Sequence, residues 1–169
     1  ADEGPSEELV DMTRRFWVGL VLTLPVFALE MGGHLFGLTE RLGQQTSNWI
    51  QFALATPVVL WAGWPFFVRG YRSVVSRNLN MFTLVALGTG VAWAYSVVAT
   101  FAPGLFPEAL RGHGGAVPAY FEAAAVITVL VLLGQVLELR ARESTGGALR
   151  ALLDLAPKTA RRIHPDGTD

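Results

Sequence analysis

The chain has 169 residues, 51% of them hydrophobic and only 16% charged, with a mean hydropathy of +0.40 and a net charge of −1. That balance excludes an ordinary water-soluble domain and points to a membrane, and no basic run suggests a nucleic-acid partner. The chain has no cysteine, so disulfides are excluded and a metal could meet only thioether, imidazole, carboxylate or backbone oxygen.

Residues 1–12 are acidic and polar, with no basic n-region, and no small-residue cleavage site follows the first apolar run. This is not a signal peptide; residues 1–13 read as a linker following something else. Four apolar segments come next, at 16–36, about 49–63, 81–102 and 119–139. Each approaches or exceeds the length that crosses ~30 Å of hydrocarbon at ~1.5 Å per residue. Lys and Arg divide unevenly between the two sides. Eleven (Arg14, Arg15, Arg69, Arg72, Arg77, Arg140, Arg142, Arg150, Lys158, Arg161, Arg162) lie on one side, and only Arg41 and Arg111 on the other. The positive-inside rule then predicts a multi-pass protein of the inner cell membrane with both termini cytoplasmic.

The second span ends in Ala62-Gly63-Trp64-Pro65. Pro65 lacks an N–H and crowds the preceding turn, so a kink is expected. Residues 66–78 continue as an amphipathic helix, with Arg69, Arg72, Ser73, Ser76 and Arg77 on one face. Phe67, Val68, Tyr71, Val74 and Val75 share the other face, and Phe66 alone is out of place. Such a helix belongs in the membrane interface, either as a plain basic flank or as a positively charged platform for a partner. The fourth helix is expected to run on through residues 140–155, weakened by Gly146-Gly147 and ended by Ala156-Pro157. Residues 158–163 then read as a strand and His164-Pro165-Asp166-Gly167 as a turn, the start of a soluble β domain cut short by truncation.

Ionisable groups inside a span are costly and call for a functional reading. Glu122 and Glu138 stand at opposite ends of span four, 16 residues and therefore ~24 Å apart, too far to share a site. Met81 begins span three at the depth of Glu138. A soft thioether beside a carboxylate suits a weak, open receiving point for Cu⁺. The bland readings are core filler for Met81, an interfacial carboxylate beside Arg140 for Glu138, and a dipole-stabilised first-turn acid for Glu122. Glu30 and His34, one turn apart, read as a packed polar pair beside Met31. Phosphate loop, metalloprotease helix and serine elbow are all absent, and Gly88-Thr89-Gly90 reads as small-residue helix packing.

The stretch YFEAAAVITVLVLLGQVLE at 120–138, running on through LRARESTGGALRALLDLAPKTARRI, resembles the second core helix of heavy-metal P-type ATPases, especially the bacterial copper exporters. Asn80-Met81-Phe82-Thr83-Leu84 with Ala86-Leu87-Gly88 resembles the start of their first core helix, and Trp61-Ala62-Gly63-Trp64-Pro65 their kinked class-specific helix. The resemblance covers about residues 14–165. It implies an all-α membrane protein of four transmembrane helices, the kinked second one continuing as an amphipathic platform, plus the first strand of an actuator domain. Residues 14–79 would be the class-specific pair, 80–156 the first two core helices with an extension, and 157–169 the start of the actuator.

The resemblance also implies roles. Met81 and Glu138 match the methionine and glutamate of the cytoplasmic mouth, and Glu122 matches an exit-pathway glutamate. Ala62, Gly63, Pro65, Arg69, Arg72 and Arg77 match the platform that takes Cu⁺ from a copper chaperone or metal-binding domain. Many relatives have Gly-Gly at the kink, whereas this chain has Ala62 first. ATP and Mg²⁺ would act only through downstream domains missing here, as is the Cys-Pro-Cys motif. The expected partners are therefore membrane lipid, the copper donor and the rest of the ATPase. Alternatives are a pump for Zn²⁺ or another heavy metal, and a non-catalytic four-helix scaffold.

Overall fold

The computed structural model describes residues 6–37, 41–112, 115–159 and 165. Helix α1 spans Glu7–Phe36. Ser6 caps it by accepting the Leu9 N–H at 3.3 Å, and Glu7 and Glu8 place negative charge on the positive end of the helix dipole. Gly37 ends it in the left-handed conformation, φ 66°. Residues 7–13, expected as linker, are instead the first turns of this helix. Leu9 and Met12 are 6% and 2% exposed because they pack on Leu132, Val136 and Leu139.

Helix α2, Gln44–Thr56, leads into a π-helical turn, Pro57–Ala62, then breaks at Gly63 into helix α3, Trp64–Val75. The two arms differ in direction by 52°. The bend has an identifiable chemistry. Gly63 N–H reaches back five residues to the Val58 carbonyl at 3.0 Å. A β-carbon at Gly63 would lie 2.5 Å from the Val59 oxygen, so only glycine fits. Helix α3 ends at Val75, short of the expected residue 78. Arg77 adopts φ 57°, and Arg77 N–H → Val74 O and Asn78 N–H → Ser73 O close a Schellman turn.

Helix α4, Met81–Phe101, opens on a reciprocal cap: Asn80 accepts the Phe82 N–H at 2.9 Å and Thr83 Oγ accepts the Asn80 N–H at 3.1 Å. Two 3₁₀ turns, Pro103–Leu105 and Glu108–Leu110, follow, and Arg111 donates to the Gly104 and Phe106 carbonyls of this loop. Helix α5, Phe121–Asp154, has 34 residues and is therefore ~51 Å long, well beyond one bilayer core. It runs unbroken through Gly146-Gly147 and stops before Pro157. The strand expected over 158–163 and the turn at 164–167 fall almost wholly outside the described residues, among which no strand occurs.

α1, α4 and α5 are each long and apolar enough to span a membrane, and the bent α2–α3 pair makes a fourth if counted as one span. The chain is accordingly a multi-pass membrane protein. Its outward face is apolar, with Leu84, Leu87 and Val91 of α4 at least 60% exposed, as lipid contact requires. Two buried clusters hold the bundle. Leu9, Met12, Ala62, Phe66, Leu132, Val136 and Leu139 fill the basic end, and Val26, Ala55, Val58, Phe121, Ala125 and Val129 fill the middle and far half. Polar side chains tie the far end: Asn48 donates to the Val117 carbonyl at 2.8 Å, Gln45 to that of Thr100 at 2.7 Å, and Ser96 Oγ accepts the Tyr120 N–H at 2.7 Å. In an apolar medium such bonds act as glue between helices, each contributing about 0.6 kcal/mol.

Candidate functional site

At the basic end, four helices meet around a cavity of about 280 Å³ lined by Met81, Phe82, Gln135, Glu138, Arg69 and Glu8, among others. Met81 is the first residue of α4, placed there by the Asn80 cap, and is 53% exposed. Glu138 stands one turn beyond Gln135 on α5, with half its side chain in the open. The cavity therefore holds both residues that the sequence placed at one depth.

The carboxylate of Glu138 is held from two directions. Arg142, one turn on, donates to Oε1 at 2.5 Å, and Gln135 Nε2 donates to Oε2 at 3.3 Å. The Gln135 oxygen in turn accepts from Arg69 Nη1 at 3.1 Å, and Arg69 Nη2 reaches Glu8 at 2.7 Å. The Arg69 guanidinium also covers the Phe82 ring, 5.0 Å from its centroid. A continuous chain of side chains, Glu8–Arg69–Gln135–Glu138–Arg142, thus links α1, α3 and α5. Two carboxylates face two guanidinium groups, so the cavity is close to electrically neutral. The Arg142–Glu138 pair is exposed and contributes no more than about 1 kcal/mol, so Glu138 Oε1 exchanges partners at little cost.

The charged face of α3 differs from a free surface. Arg69 points into the cavity, Ser73 is buried against Thr83, and Arg72, Ser76 and Arg77 remain exposed. Phe66, out of place on the amphipathic pattern, is 2% exposed because it stacks on Phe82 at 5.8 Å and closes the core beneath the bend. Gly70 lets α3 lie on α4, since a β-carbon there would meet Ala86 Cβ at 2.8 Å and the Phe82 carbonyl at 2.9 Å. At the kink, Ala62 is fully buried, and a methyl at Gly19 of α1 would stand 3.7 Å from its own. The small residue facing position 62 is thus on the neighbouring helix. Pro65 offers no N–H to the Trp61 carbonyl, and Arg15 of α1 donates to that oxygen instead.

Glu122 lies in the first turn of α5, half-buried, at the far end from the cavity. Glu30 accepts from Gln51 at 3.1 Å, and Gln51 also donates to Ser47. The His34 side chain lies outside the described residues. No group of three or more His, Asp or Glu able to hold a metal occurs among the described residues. Sequence reasoning passed over Glu8, Phe82, Gln135 and Arg142. Gln135 and Arg142 were legible as the i−3 and i+4 neighbours of Glu138 on one helical face. Glu8 carried no such signal, because its place is set by the docking of α1.

No protein-family model matches the chain. Among characterised proteins it is 64% identical to the silver exporting P-type ATPase of Salmonella typhimurium over 168 residues, 99% of this chain and 20% of that protein. It is 62% identical to the copper-transporting P-type ATPase of Rhizobium leguminosarum bv. viciae, again over 99% of this chain and 20% of the relative. It is also 62% identical to the copper-exporting P-type ATPase of Legionella pneumophila over 97% of this chain and 22% of the relative. The chain spans about a fifth of the length of these relatives.

Proposed function

Starting from the premise that the chain belongs to the heavy-metal P-type ATPases and resembles their bacterial copper exporters, we propose that it forms the membrane portion through which an ATP-driven exporter takes up Cu⁺. The observation that carries this reading is the shared cavity of Met81 and Glu138 at the mouth of α4 and α5. A thioether favours a soft monovalent ion, and a carboxylate supplies the charge to draw it in. Copper and silver in the relatives' names fit the same softness and speak against Zn²⁺ as the first choice.

In this reading the basic end is cytoplasmic, in line with the eleven-to-two division of Lys and Arg. Arg72 and Arg77 on the platform receive a copper chaperone or metal-binding domain. Cu⁺ passes to the Met81 sulfur and to Glu138 as Arg142 swings away, and leaves by Glu122 at the opposite end, ~24 Å along α5. Hydrolysis of ATP with Mg²⁺ belongs to parts of the protein outside this chain.

The test uses the full-length protein. Met81→Ala and Glu138→Gln each raise the Cu⁺ concentration for half-maximal ATPase activity roughly tenfold, with the maximal rate less affected, because each removes a receiving ligand. Unchanged Cu⁺ dependence in both variants would overturn the assignment.

A further inference from the structure

A second hollow opens on the other side of the basic end, between the first turns of α1 and the stretch of α5 around Arg140. It encloses about 460 Å³ and is lined by Leu9, Val10, Thr13, Arg14, Trp17 and Arg140. Its chemistry is two-sided. Arg14 and Arg140 contribute two positive charges, and neither has a carboxylate partner among the described residues, whereas Arg15, Arg69 and Arg142 are all ion-paired. Arg14 is steadied over the Trp61 ring at 5.9 Å, a contact that leaves its N–H groups free. Leu9, Val10 and Trp17 are apolar or aromatic, and Thr13 adds one hydroxyl.

The apolar lining continues down α1. Val10, Arg14, Trp17, Val21 and Leu24 recur at spacings of four and three, which puts them on one helical face. Val10, Trp17, Val21 and Leu24 are 54%, 57%, 63% and 57% exposed. A ligand that suits the whole feature is anionic at one end and apolar along the other. A soluble anion would leave the stripe uncovered, and an acidic protein surface would find the more polar groove around Arg72, Ser76 and Asn78 better suited. Arg14 and Trp17 mark the depth at which headgroups meet acyl chains, where tryptophan concentrates. We propose that this hollow binds one anionic phospholipid, its phosphate between Arg14 and Arg140 and an acyl chain lying over Trp17, Val21 and Leu24. The site is separate from the cation cavity and does not depend on the function proposed above.

The experiment is native mass spectrometry of the full-length protein in mild detergent, titrated with phosphatidylglycerol or phosphatidylcholine. The expected result is retention of one phosphatidylglycerol but not phosphatidylcholine, with affinity roughly thirtyfold weaker in Arg14→Gln/Arg140→Gln, since each basic residue near the surface contributes about a factor of five. Arg14→Lys/Arg140→Lys retains most of the binding, which separates charge from misfolding. Trp17→Ala weakens it as well, a loss that a free-phosphate site would not show. Equal binding of the two lipids, or an Arg72→Gln/Arg77→Gln control that loses as much as the hollow variant, would overturn the proposal. So would displacement of the lipid by millimolar inorganic phosphate.

Discussion

Pro65 has no N–H for the Trp61 carbonyl one turn earlier, and the Arg15 guanidinium fills the vacancy while lying 5.0 Å from the Trp61 ring. Arg15 is itself steadied by Asp11 at 2.9 Å. Replacing Arg15 by Met removes this donor, so the protein is expected to lose about 0.5–1.5 kcal/mol of stability, part of which Lys restores; detergent-solubilised thermal unfolding measures it. Arg77 shows the opposite case. It holds a left-handed conformation that costs a residue with a β-carbon roughly 1 kcal/mol. Arg77→Gly is therefore expected to raise the unfolding temperature slightly, even as it removes a platform charge. Glu143, fully exposed, accepts the Ser6 N–H at 2.7 Å, and that hydrogen bond holds its carboxyl below the ordinary value of 4.5. A lowered folded value means that the clamp on the start of α1 is complete above 4.5 and is lost as pH falls through the folded value. Hydrogen exchange at residues 7–13 should accelerate in that acid range, and Glu143→Gln should remove the pH dependence.

Helix α3 carries both an exposed basic face and a packing face, and its glycine decides how closely the second sits on α4. Gly70 brings the helix against Phe82 and Ala86, which in turn lets Ser73 meet Thr83 and Arg69 reach Gln135. A larger residue meets backbone as well as a methyl, so relaxation is limited. Gly70→Val is expected to lift α3 from α4, to lower disulfide yield between Ser73→Cys and Thr83→Cys, and to weaken Cu⁺ activation as Arg69 leaves the cavity. Helix α5 shows a different economy of design, since one 34-residue rod carries Glu122, Glu138 and Glu143 at three depths. The periodic apolar run to Leu139 and the absence of proline before Pro157 made that length legible in advance. The start of α1 was not legible, because residues 7–13 are polar in composition and become helical through a Ser6 cap and a partner, α5, that lies far away in sequence.

Across the whole molecule the two ends differ in kind. The far end is knitted largely by neutral amides and hydroxyls, such as Asn48 to Val117, Gln45 to Thr100 and Ser96 to Tyr120. The basic end is knitted by charge, through Glu8, Arg69, Gln135, Glu138 and Arg142. A charge network that is half in water weakens with ionic strength, whereas bonds buried in an apolar bundle do not. Raising salt is therefore expected to loosen the basic end selectively, which site-specific exchange at α3 would register before any change near Asn48.

Taken by itself, the sequence determined what depends on composition and period: four apolar stretches, the bend at Gly63-Trp64-Pro65, the long fourth helix, and Met81 and Glu138 at a common depth. Each follows from local rules of hydrocarbon thickness, proline sterics and rise per residue. Only the tertiary structure decided that Arg69 turns inward, that Phe66 is core, and that Glu8 joins the cavity. Those outcomes hang on contacts between residues far apart in the chain, and no periodicity encodes which helix faces which.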